Sequence, residues 1–339
     1  MSLAVIGTGP AGCFVLACLP PERLCNIHVF DNGFIGGDMA KLYGCVRANL
    51  TRTELEKALR MVPRWASVPM PILEAAAGPK ECPLLSDVCR QLQELMQPLI
   101  EQVHMHTVYV VKAQQALDGW ILWANDGSQQ KVSRVVLCTG ATPRKLDMPR
   151  PTIPLEVALC GDALAKVVRA EDSVGVFGTS HSGTLVLRNL MRLGCRRVRV
   201  FYRGSAPFRW KRNHDSEGLK QESAAIADEI VARAWGDLTP ALVRVDDSVA
   251  VVRGVMDCDY MVYAIGFDTR MPEMHGLNGQ VLEGLRHDPV TAEIAPGMWG
   301  FGIGFPSLYE KPLGGFASDV GFGGFIEHIL RRIGTILAY

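Results

Sequence analysis

The sequence predicts an α/β protein with two β-α-β units and an antiparallel β-meander between them. Three observations support this fold class. A short apolar run near the N-terminus ends in a G-x-G-x-x-G motif, a related motif follows Asp172, and three strand-like runs with Asp-Gly turns lie between the two motifs. Strands that alternate with helices are typical of parallel sheets covered by helices.

The first β-α-β unit lies at the start of the chain. Ser2–Ile6 is a short apolar run that predicts a buried strand, Cys13–Leu19 predicts an apolar helix, and Asn26–Phe30 predicts a second strand. Asp31 stands at the end of that second strand. This order places the glycine motif between a strand and the helix that it opens.

The glycine motif has the features of a dinucleotide site. The first glycine makes the tight turn, the second lets the backbone approach a pyrophosphate, and the third lets the helix pack close to the strand. The helix N-terminus favours phosphate, and an acid after the second strand can accept hydrogen bonds from a ribose diol. The predicted contacts are Gly7, Gly9, Pro10, Ala11, Gly12 and Asp31.

Composition excludes several classes of function. The chain has 339 residues, which suggests two domains, and 35 basic residues balance 35 acidic ones. A net charge of zero argues against a general electrostatic attachment to nucleic acid or to an acidic membrane. The ten cysteines form no C-x-x-C pair and no zinc spacing, so we expect buried thiols in a reducing, cytoplasmic compartment. We expect no signal peptide and no membrane span.

The segment between the first unit and the meander mixes helices and loops. A glycine-rich loop follows Asp31, and Thr51 or Thr53 can cap a following helix. The proline-rich segment 63–83 predicts a surface excursion, such as a lid or an interaction loop. Leu84–Val103 predicts a helix that Pro98 kinks or ends.

The meander is predicted from the runs His104–Ala113, Trp120–Asn125 and Lys131–Cys138, which Asp-Gly turns separate. The third run leads into Thr139 and Gly140, where small residues permit close approach of the backbone to a ligand.

The glycine pattern recurs after Asp172. Ser173–Phe177 and Arg197–Tyr202 predict strands, and Thr184–Leu193 predicts the helix between them. The turn Gly178–Gly183 carries Ser180 in the place of the middle glycine. Arg203 follows the second strand where an acid would suit NAD, and a cation there suits the 2′-phosphate of NADP. Further basic residues follow in the chain, so the alternative that this segment is a solvated basic loop without a ligand stays open. These residues are Arg209, Lys211 and Arg212.

The last third of the chain predicts a helix over 218–235, strands at Val249–Val252 and Tyr260–Ile265, and a final helix Phe322–Leu337. Two glycine-rich runs, near 300–305 and 314–321, lie before that helix. The glycine-rich segment 300–316, together with 63–83, is expected to frame a substrate pocket.

The paired glycine turns with a meander between them resemble the two-dinucleotide-binding-domain flavoproteins, which include thioredoxin reductases, flavin-containing monooxygenases and N-hydroxylases. The resemblance implies two Rossmann-like domains, with an NADPH domain at 154–270 inserted into an FAD domain at 1–153 and 271–339. The implied FAD contacts beyond the first turn are Gly37, Asp38, Asn49, Val110, Thr139, Gly140, Gly266, Asp319 and Val320. The implied NADPH contacts are Gly178, Thr179, Ser180, His181, Ser182, Gly183, Tyr202 and Arg203.

Within this superfamily, Gly36–Met39 followed by Arg47–Thr51 is similar to the monooxygenase pattern, in which an Asn lies near the flavin. Asn49 takes that place and is the one implied catalytic residue. Other candidates near the reaction are Lys41, Tyr43, Arg52 and His181. The serine in the second turn also favours the monooxygenases.

The resemblance leaves three functions open. The first is a small monooxygenase that oxygenates an amine, a thioether or a ketone through a peroxyflavin, with molecular oxygen as co-substrate. The second is an NADPH-dependent flavin reductase that passes electrons to a quinone or a small redox protein without cysteine chemistry. The third is a non-catalytic flavin-binding redox sensor. The short chain favours the reductase, and the lack of C-x-x-C excludes dithiol chemistry.

Overall fold

The computed structural model describes residues 2–33, 35–209, 218–310 and 315–338. Its strands in chain order are β1 (Leu3–Ile6), β2 (Ile27–Asp31), β3 (His104–Thr107), β4 (Val110–Ala116), β5 (Gly119–Ala124), β6 (Gln129–Val132), β7 (Arg134–Leu137), β8 (Ala141–Pro143), β9 (Ser173–Phe177), β10 (Arg197–Tyr202), β11 (Ala241–Arg244), β12 (Tyr260–Tyr263), β13 (Phe267–Thr269), β14 (Glu273–His275), β15 (Glu293–Ala295), β16 (Met298–Gly300), β17 (Ser307–Glu310) and β18 (Phe316–Asp319).

The α-helices in chain order are α1 (Pro10–Cys18), α2 (Gly37–Leu42), α3 (Arg52–Leu59), α4 (Pro71–Ala76), α5 (Leu85–Ile100), α6 (Leu155–Leu159), α7 (Gly161–Leu164), α8 (His181–Arg192), α9 (Gln221–Val231), α10 (Ser248–Met256) and α11 (Phe322–Ala338). Short 3₁₀-helices form at Pro21–Asn26, Pro63–Trp65 and Gly236–Leu238. No helix in the described ranges is long and apolar enough to cross a membrane.

The chain divides into two compact units. The first comprises Met1–Thr142, Thr269–Glu310 and Gly315–Tyr339, and the second comprises Pro143–Asp268. The sequence-based boundary at 153/154 lies further along the chain than the change of unit at 142/143. The difference has a structural reason, because the segment before Pro154 hydrogen-bonds to strand β12 of the second unit, with the Ile153 N–H donating to the Met261 carbonyl at 2.8 Å.

The first unit is built on a six-stranded sheet in the order β15-β16-β7-β1-β2-β3, in which only the β15–β16 pair is antiparallel. Side chains of β1 alternate between the two faces of this sheet. Leu3 and Val5 pack with helices α1, α5 and α11, whereas Ala4 and Ile6 pack against the smaller sheet that contains Trp120. The central sheet is therefore covered by helices on one face and by strands on the other.

The predicted meander is only partly correct. Strands β4, β5 and β6 are antiparallel neighbours, with β14 added beside β4. The start of the first predicted run and the end of the third belong to the six-stranded sheet. His104–Thr107 pairs in parallel with β2, and Arg134–Leu137 pairs in parallel with β1. Each long apolar run thus contains two strands that serve different sheets.

The prediction of a surface excursion over the proline-rich segment 63–83 is only partly correct, because most of its residues are exposed but several side chains anchor it in the core. Trp65, Met70 and Leu73 are fully buried in the helical core of the first unit. Prolines open the 3₁₀ turn and α4 at first-turn positions, where a missing N–H leaves no hydrogen bond unmade. The buried amide oxygen of Gln91 accepts the Leu73 N–H at 3.4 Å, which ties the segment to α5.

Helix ends in the first unit follow local signals. Thr51 caps α3 through a capping box with Glu54, which decides between the two predicted caps. Helix α5 continues past Pro98 and ends two residues later at Ile100.

The second unit contains a parallel four-stranded sheet in the order β11-β10-β9-β12. The predicted strand at Val249–Val252 is wrong, because this run lies inside helix α10. Asp247 caps the helix by accepting the Ala250 N–H at 2.9 Å, and Val251 and Val255 pack on the core at helical spacing. Capping and packing therefore override the β-propensity of valine.

Candidate active site

The first glycine turn has the close packing that its motif predicts. Gly7 adopts a positive φ of 97°, and its N–H donates to the Phe30 carbonyl of β2 at 2.8 Å. A Cβ on Gly7 would overlap the Cys138 carbonyl, and a Cβ on Gly12 would overlap the Gly7 carbonyl. Only glycine fits at these two positions, which bring α1 against β1 and the end of β7.

The loop after β2 folds back onto this turn. The Gly36 N–H donates to the Thr8 carbonyl at 2.8 Å, and a Cβ on Gly37 would lie 2.9 Å from the Gly9 Cα. Oδ2 of Asp31 accepts the Thr8 N–H at 2.7 Å, so the acid at the end of β2 helps to hold the turn.

Two further segments lie against the turn. A Cβ on Gly302 would lie 2.7 Å from the Ala11 Cβ, and a Cβ on Gly304 would overlap the Gly140 carbonyl. The Gly304 carbonyl also accepts a hydrogen bond from the Thr269 hydroxyl at 2.7 Å. We call the following four segments the glycine cradle: Gly7–Gly12, Gly36–Asp38, Thr139–Ala141 and Gly302–Gly304.

From the sequence, the run that contains Gly302 and Gly304 was expected to line a substrate pocket, and its part in the cradle was not predicted. A signal was available in the alternation of glycine at 300, 302 and 304. Glycine at alternate positions of an extended segment indicates that another backbone comes close to it.

Arg270 is a site residue that sequence reasoning missed. Its guanidinium pairs with Asp38 at 2.8 Å and also donates to the Ala141 carbonyl at 3.4 Å. Its backbone N–H donates to the Gly140 carbonyl at 3.3 Å, and its carbonyl accepts the Thr139 hydroxyl. Arg270 thus connects two predicted contact segments that are remote in sequence.

The cradle fits the diphosphate of a dinucleotide. An ideal Cβ on Gly9 or on Gly140 would meet no atom within 4 Å, so the space beside both residues is open. Gly9 precedes helix α1, whose first-turn N–H groups favour an anion. The first unit therefore has room and hydrogen-bond donors for a diphosphate where its motif predicts them.

The remaining predicted FAD contacts lie at several places in the first unit. Asn49 is exposed, and in the described ranges no hydrogen bond or ion pair connects it to the cradle. Val110 opens β4 and packs against the core cluster of the smaller sheet. The Asp319 carboxylate lies at the start of α11, where it accepts the Gly321 N–H at 3.1 Å, and Val320 is exposed. These residues stay predictions.

The second glycine turn repeats the construction of the first. Gly178 has a φ of 106° and donates its N–H to the Phe201 carbonyl of β10 at 2.9 Å. A Cβ on Gly178 would overlap the Ala264 carbonyl, and a Cβ on Gly183 would overlap the Gly178 carbonyl. The second unit therefore contains the same strand, turn and helix arrangement, although Ser180 replaces the middle glycine.

The polar residues of the second turn differ in exposure. Ser180 is exposed and precedes α8, whose first turn contains His181. Burial lowers the pKa of the His181 imidazole, and the charge of Lys220 lowers it further, which favours the neutral ring. Arg203 is exposed after β10. Gly266 has a φ of 96°, and its carbonyl accepts the Arg144 N–H. Lys211 and Arg212 lie outside the described residues.

The thiols nearest the first turn are buried and unreactive. Cys13 and Cys138 are buried, and burial raises the pKa of the Cys13 thiol to about 12 and raises that of Cys138 as well. Burial likewise raises the pKa of Cys89 to about 12. Thiolates are the reactive species, so these side chains are poor nucleophiles at neutral pH.

Comparison with known proteins finds a curated relative of this chain. A curated protein named monooxygenase AgnR1, from Paecilomyces divaricatus, is 27% identical over an alignment that covers 96% of this chain and 95% of that protein. No protein-family model matches the sequence.

Solved structures share the whole fold at low sequence identity. Bacillithiol disulfide reductase Bdr from Staphylococcus aureus superposes with a TM-score of 0.66 at 12% identity, covering 100% of this chain and 98% of that chain. A double variant of a flavin monooxygenase from Stenotrophomonas maltophilia superposes with a TM-score of 0.65 at 16% identity, covering 100% and 98%. The chain therefore has the fold of the two-dinucleotide-binding-domain flavoproteins.

Proposed function

We propose that this chain is an FAD-dependent NADPH oxidoreductase that acts as a monooxygenase on a small amine, thioether or ketone. The observation that carries the proposal is the repeated glycine turn, once in each unit, with the same close contacts between strand, turn and helix. Two such turns in one chain suit an enzyme that binds two dinucleotides.

The residues at the end of the second strand of each β-α-β unit distinguish the two nucleotides. Asp31 is the last residue of β2 and can accept hydrogen bonds from the ribose of FAD in the first unit. Arg203 follows β10 and can bind the 2′-phosphate of NADPH in the second unit. We therefore assign FAD to the first unit and NADPH to the second.

Cysteine chemistry does not fit the proposed reaction. The sequence contains no C-x-x-C pair, and the thiols beside the cradle are buried with raised pKa values. The ten free cysteines also suit a reducing compartment, and we place the enzyme in the cytoplasm. The similarity to a protein named as a monooxygenase, along nearly the whole of both chains, supports oxygen as the electron acceptor.

The protein's contribution is binding and positioning. Bound FAD would supply the redox chemistry that couples oxidation of NADPH to reduction of oxygen. The cradle holds the diphosphate with backbone N–H groups, and His181 stays neutral beside the nicotinamide nucleotide. Asn49 offers an amide on an exposed loop of the first unit, and we assign it to a hydrogen bond with the flavin.

The test is oxygen transfer under labelled oxygen. The purified holoenzyme is supplied with NADPH and ¹⁸O₂ in the presence of panels of amines, thioethers and ketones. We expect one class to yield a product with a single ¹⁸O atom, with one NADPH consumed for each product. Recovery of all consumed oxygen as hydrogen peroxide, together with rapid anaerobic reduction of quinones or redox proteins, would contradict a monooxygenase and support a reductase.

A further inference from the structure

The cradle contains two carboxylates and little to balance them. Asp31 and Asp38 both lie in or beside it, and the four cradle segments contain no lysine or arginine. A diphosphate would add two further negative charges. Like charges at short range destabilise a complex, so a dianion in this cradle calls for a cation close by.

Arg270 is placed to supply that cation. Nη2 of Arg270 donates to Asp38 and to the Ala141 carbonyl, whereas Nε and Nη1 have no hydrogen-bond partner among the residues that the structure describes. The guanidinium carries five N–H donors in a planar fork, so it can hold a carboxylate on one edge and a phosphate on another. The side chain is 47% exposed, which leaves the remaining donors accessible to a ligand.

The backbone around Arg270 fixes its position. Two hydrogen bonds join its N–H and its carbonyl to Gly140 and Thr139, and the Asp38 carboxylate holds the end of the side chain. Asp38 itself follows Gly37, which packs on Gly9. A short chain of contacts therefore leads from Arg270 to the open space beside Gly9.

We propose that Arg270 binds the diphosphate of FAD and that Asp38 positions its guanidinium for this contact. The proposal rests on the assignment of FAD to the first unit. It goes beyond the glycine motif, because it gives the site a side-chain cation from a segment remote from that motif.

The test measures binding instead of turnover. Apoprotein of the full chain is titrated with FAD and with riboflavin, which lacks the diphosphate, and flavin fluorescence gives each dissociation constant. Loss of one charge-assisted hydrogen bond weakens binding by about ten- to a hundredfold. We therefore expect Arg270→Ala to weaken FAD binding by this factor and to leave riboflavin binding unchanged. Arg270→Lys and Asp38→Asn should weaken FAD binding less.

A matched control removes another paired arginine of the same unit. Arg331 pairs with Glu327 at 2.7 Å on α11, and Arg331→Ala should leave the FAD constant unchanged. Unchanged FAD binding in Arg270→Ala, or an equal loss for FAD and riboflavin, would overturn the proposal. If Arg270→Ala does not fold, Arg270→Lys must still weaken FAD more than riboflavin. Wild-type apoprotein that binds no FAD would instead overturn the proposed function itself.

Discussion

Arg203 is the residue on which the choice between NADPH and NADH depends. Its guanidinium is exposed at the end of β10, so removing it leaves no buried group unpaired. Loss of a charge-assisted contact to the 2′-phosphate costs about 1.5 to 3 kcal/mol, or about ten- to a hundredfold. We expect Arg203→Ala to slow flavin reduction by subsaturating NADPH by this factor and to leave reduction by NADH unchanged.

Stopped-flow reduction with both nucleotides measures this preference. Arg192→Ala is the control, because Arg192 is an exposed arginine at the C-terminal end of α8, opposite to the glycine turn. Wild-type protein that prefers NADH, or an Arg203→Ala variant with an unaltered preference, would refute the assignment.

His287 and His328 connect stability to pH. Their rings lie 6.1 Å apart beside Phe301 and Phe305, and within the described residues Nε2 of each ring is buried without a partner. Burial, aided by the neighbouring His328, lowers the pKa of His287 to about 4. Burial also lowers the pKa of His328, and the charges of Arg332 and Arg331 add to that shift. Both rings are therefore neutral in the folded protein at neutral pH.

The direction in which stability changes with pH follows from where the protons bind. A histidine with a lowered folded pKa takes up its proton more readily in the unfolded chain, so the free energy of unfolding falls as pH drops from about 6.5 towards 4. His287 accounts for a loss on the order of 3 kcal/mol at most. Urea unfolding of wild type and His287→Gln across this range should show a shallower fall in the variant. Parallel curves would contradict this account.

At the scale of elements, the two roles of glycine in the first turn can be separated. Gly12 is packed so closely that a Cβ would overlap the Gly7 carbonyl, whereas a Cβ on Gly9, at a φ of −63°, would meet no atom within 4 Å. We expect Gly12→Ala to lower the melting temperature. Gly9→Ala should keep the melting temperature of the apoprotein and weaken FAD binding, because the methyl group enters the space assigned to the diphosphate.

Differential scanning fluorimetry of apoproteins and FAD titration measure the two effects. Gly127→Ala is unsuitable as a control because its φ of 85° adds strain, whereas Gly323→Ala in α11 introduces a Cβ into open space without that strain. A Gly9→Ala variant that binds FAD like wild type would show that the diphosphate does not lie beside Gly9.

Local signals predicted many of the elements and failed where packing decides. Glycine turns, the Thr51 cap and the apolar runs of β1, β2, β9 and β10 are readable from neighbours in the chain. Val249–Val252 has strand composition but becomes helix, because Asp247 caps it and a valine spacing of four residues faces the core. The division of one apolar run between β3 and β4 depends on two sheets that no local pattern reveals.

At the scale of the whole molecule, the cradle contains residues that a local sequence motif cannot identify. The motif Gly7–Gly12 and the acid Asp31 could be recognised because they lie in one β-α-β unit. Arg270 and Gly304 also contribute to the cradle, although they follow the second unit in the chain. Their role depends on tertiary contacts with Asp38 and Gly140. The alternation of glycine at 300, 302 and 304 indicates that another backbone comes close, but it does not identify that backbone, and no local pattern marks Arg270.

The cysteines give a prediction for the whole chain. All ten are free, and those beside the cradle are buried with raised pKa values. We expect that no single Cys→Ala change abolishes NADPH oxidation in a variant that keeps the wild-type melting temperature. Steady-state assays of the ten variants check this. One stable variant without turnover would show that a thiol takes part in electron transfer.

The most direct test of the account is the flavin content of the purified protein and its response to NADPH. We expect one FAD per chain, measured by absorbance after denaturation, and loss of the flavin absorption bands when NADPH is added without oxygen. A colourless protein that takes up no added FAD, or bound FAD that NADPH does not reduce, would contradict the central claim.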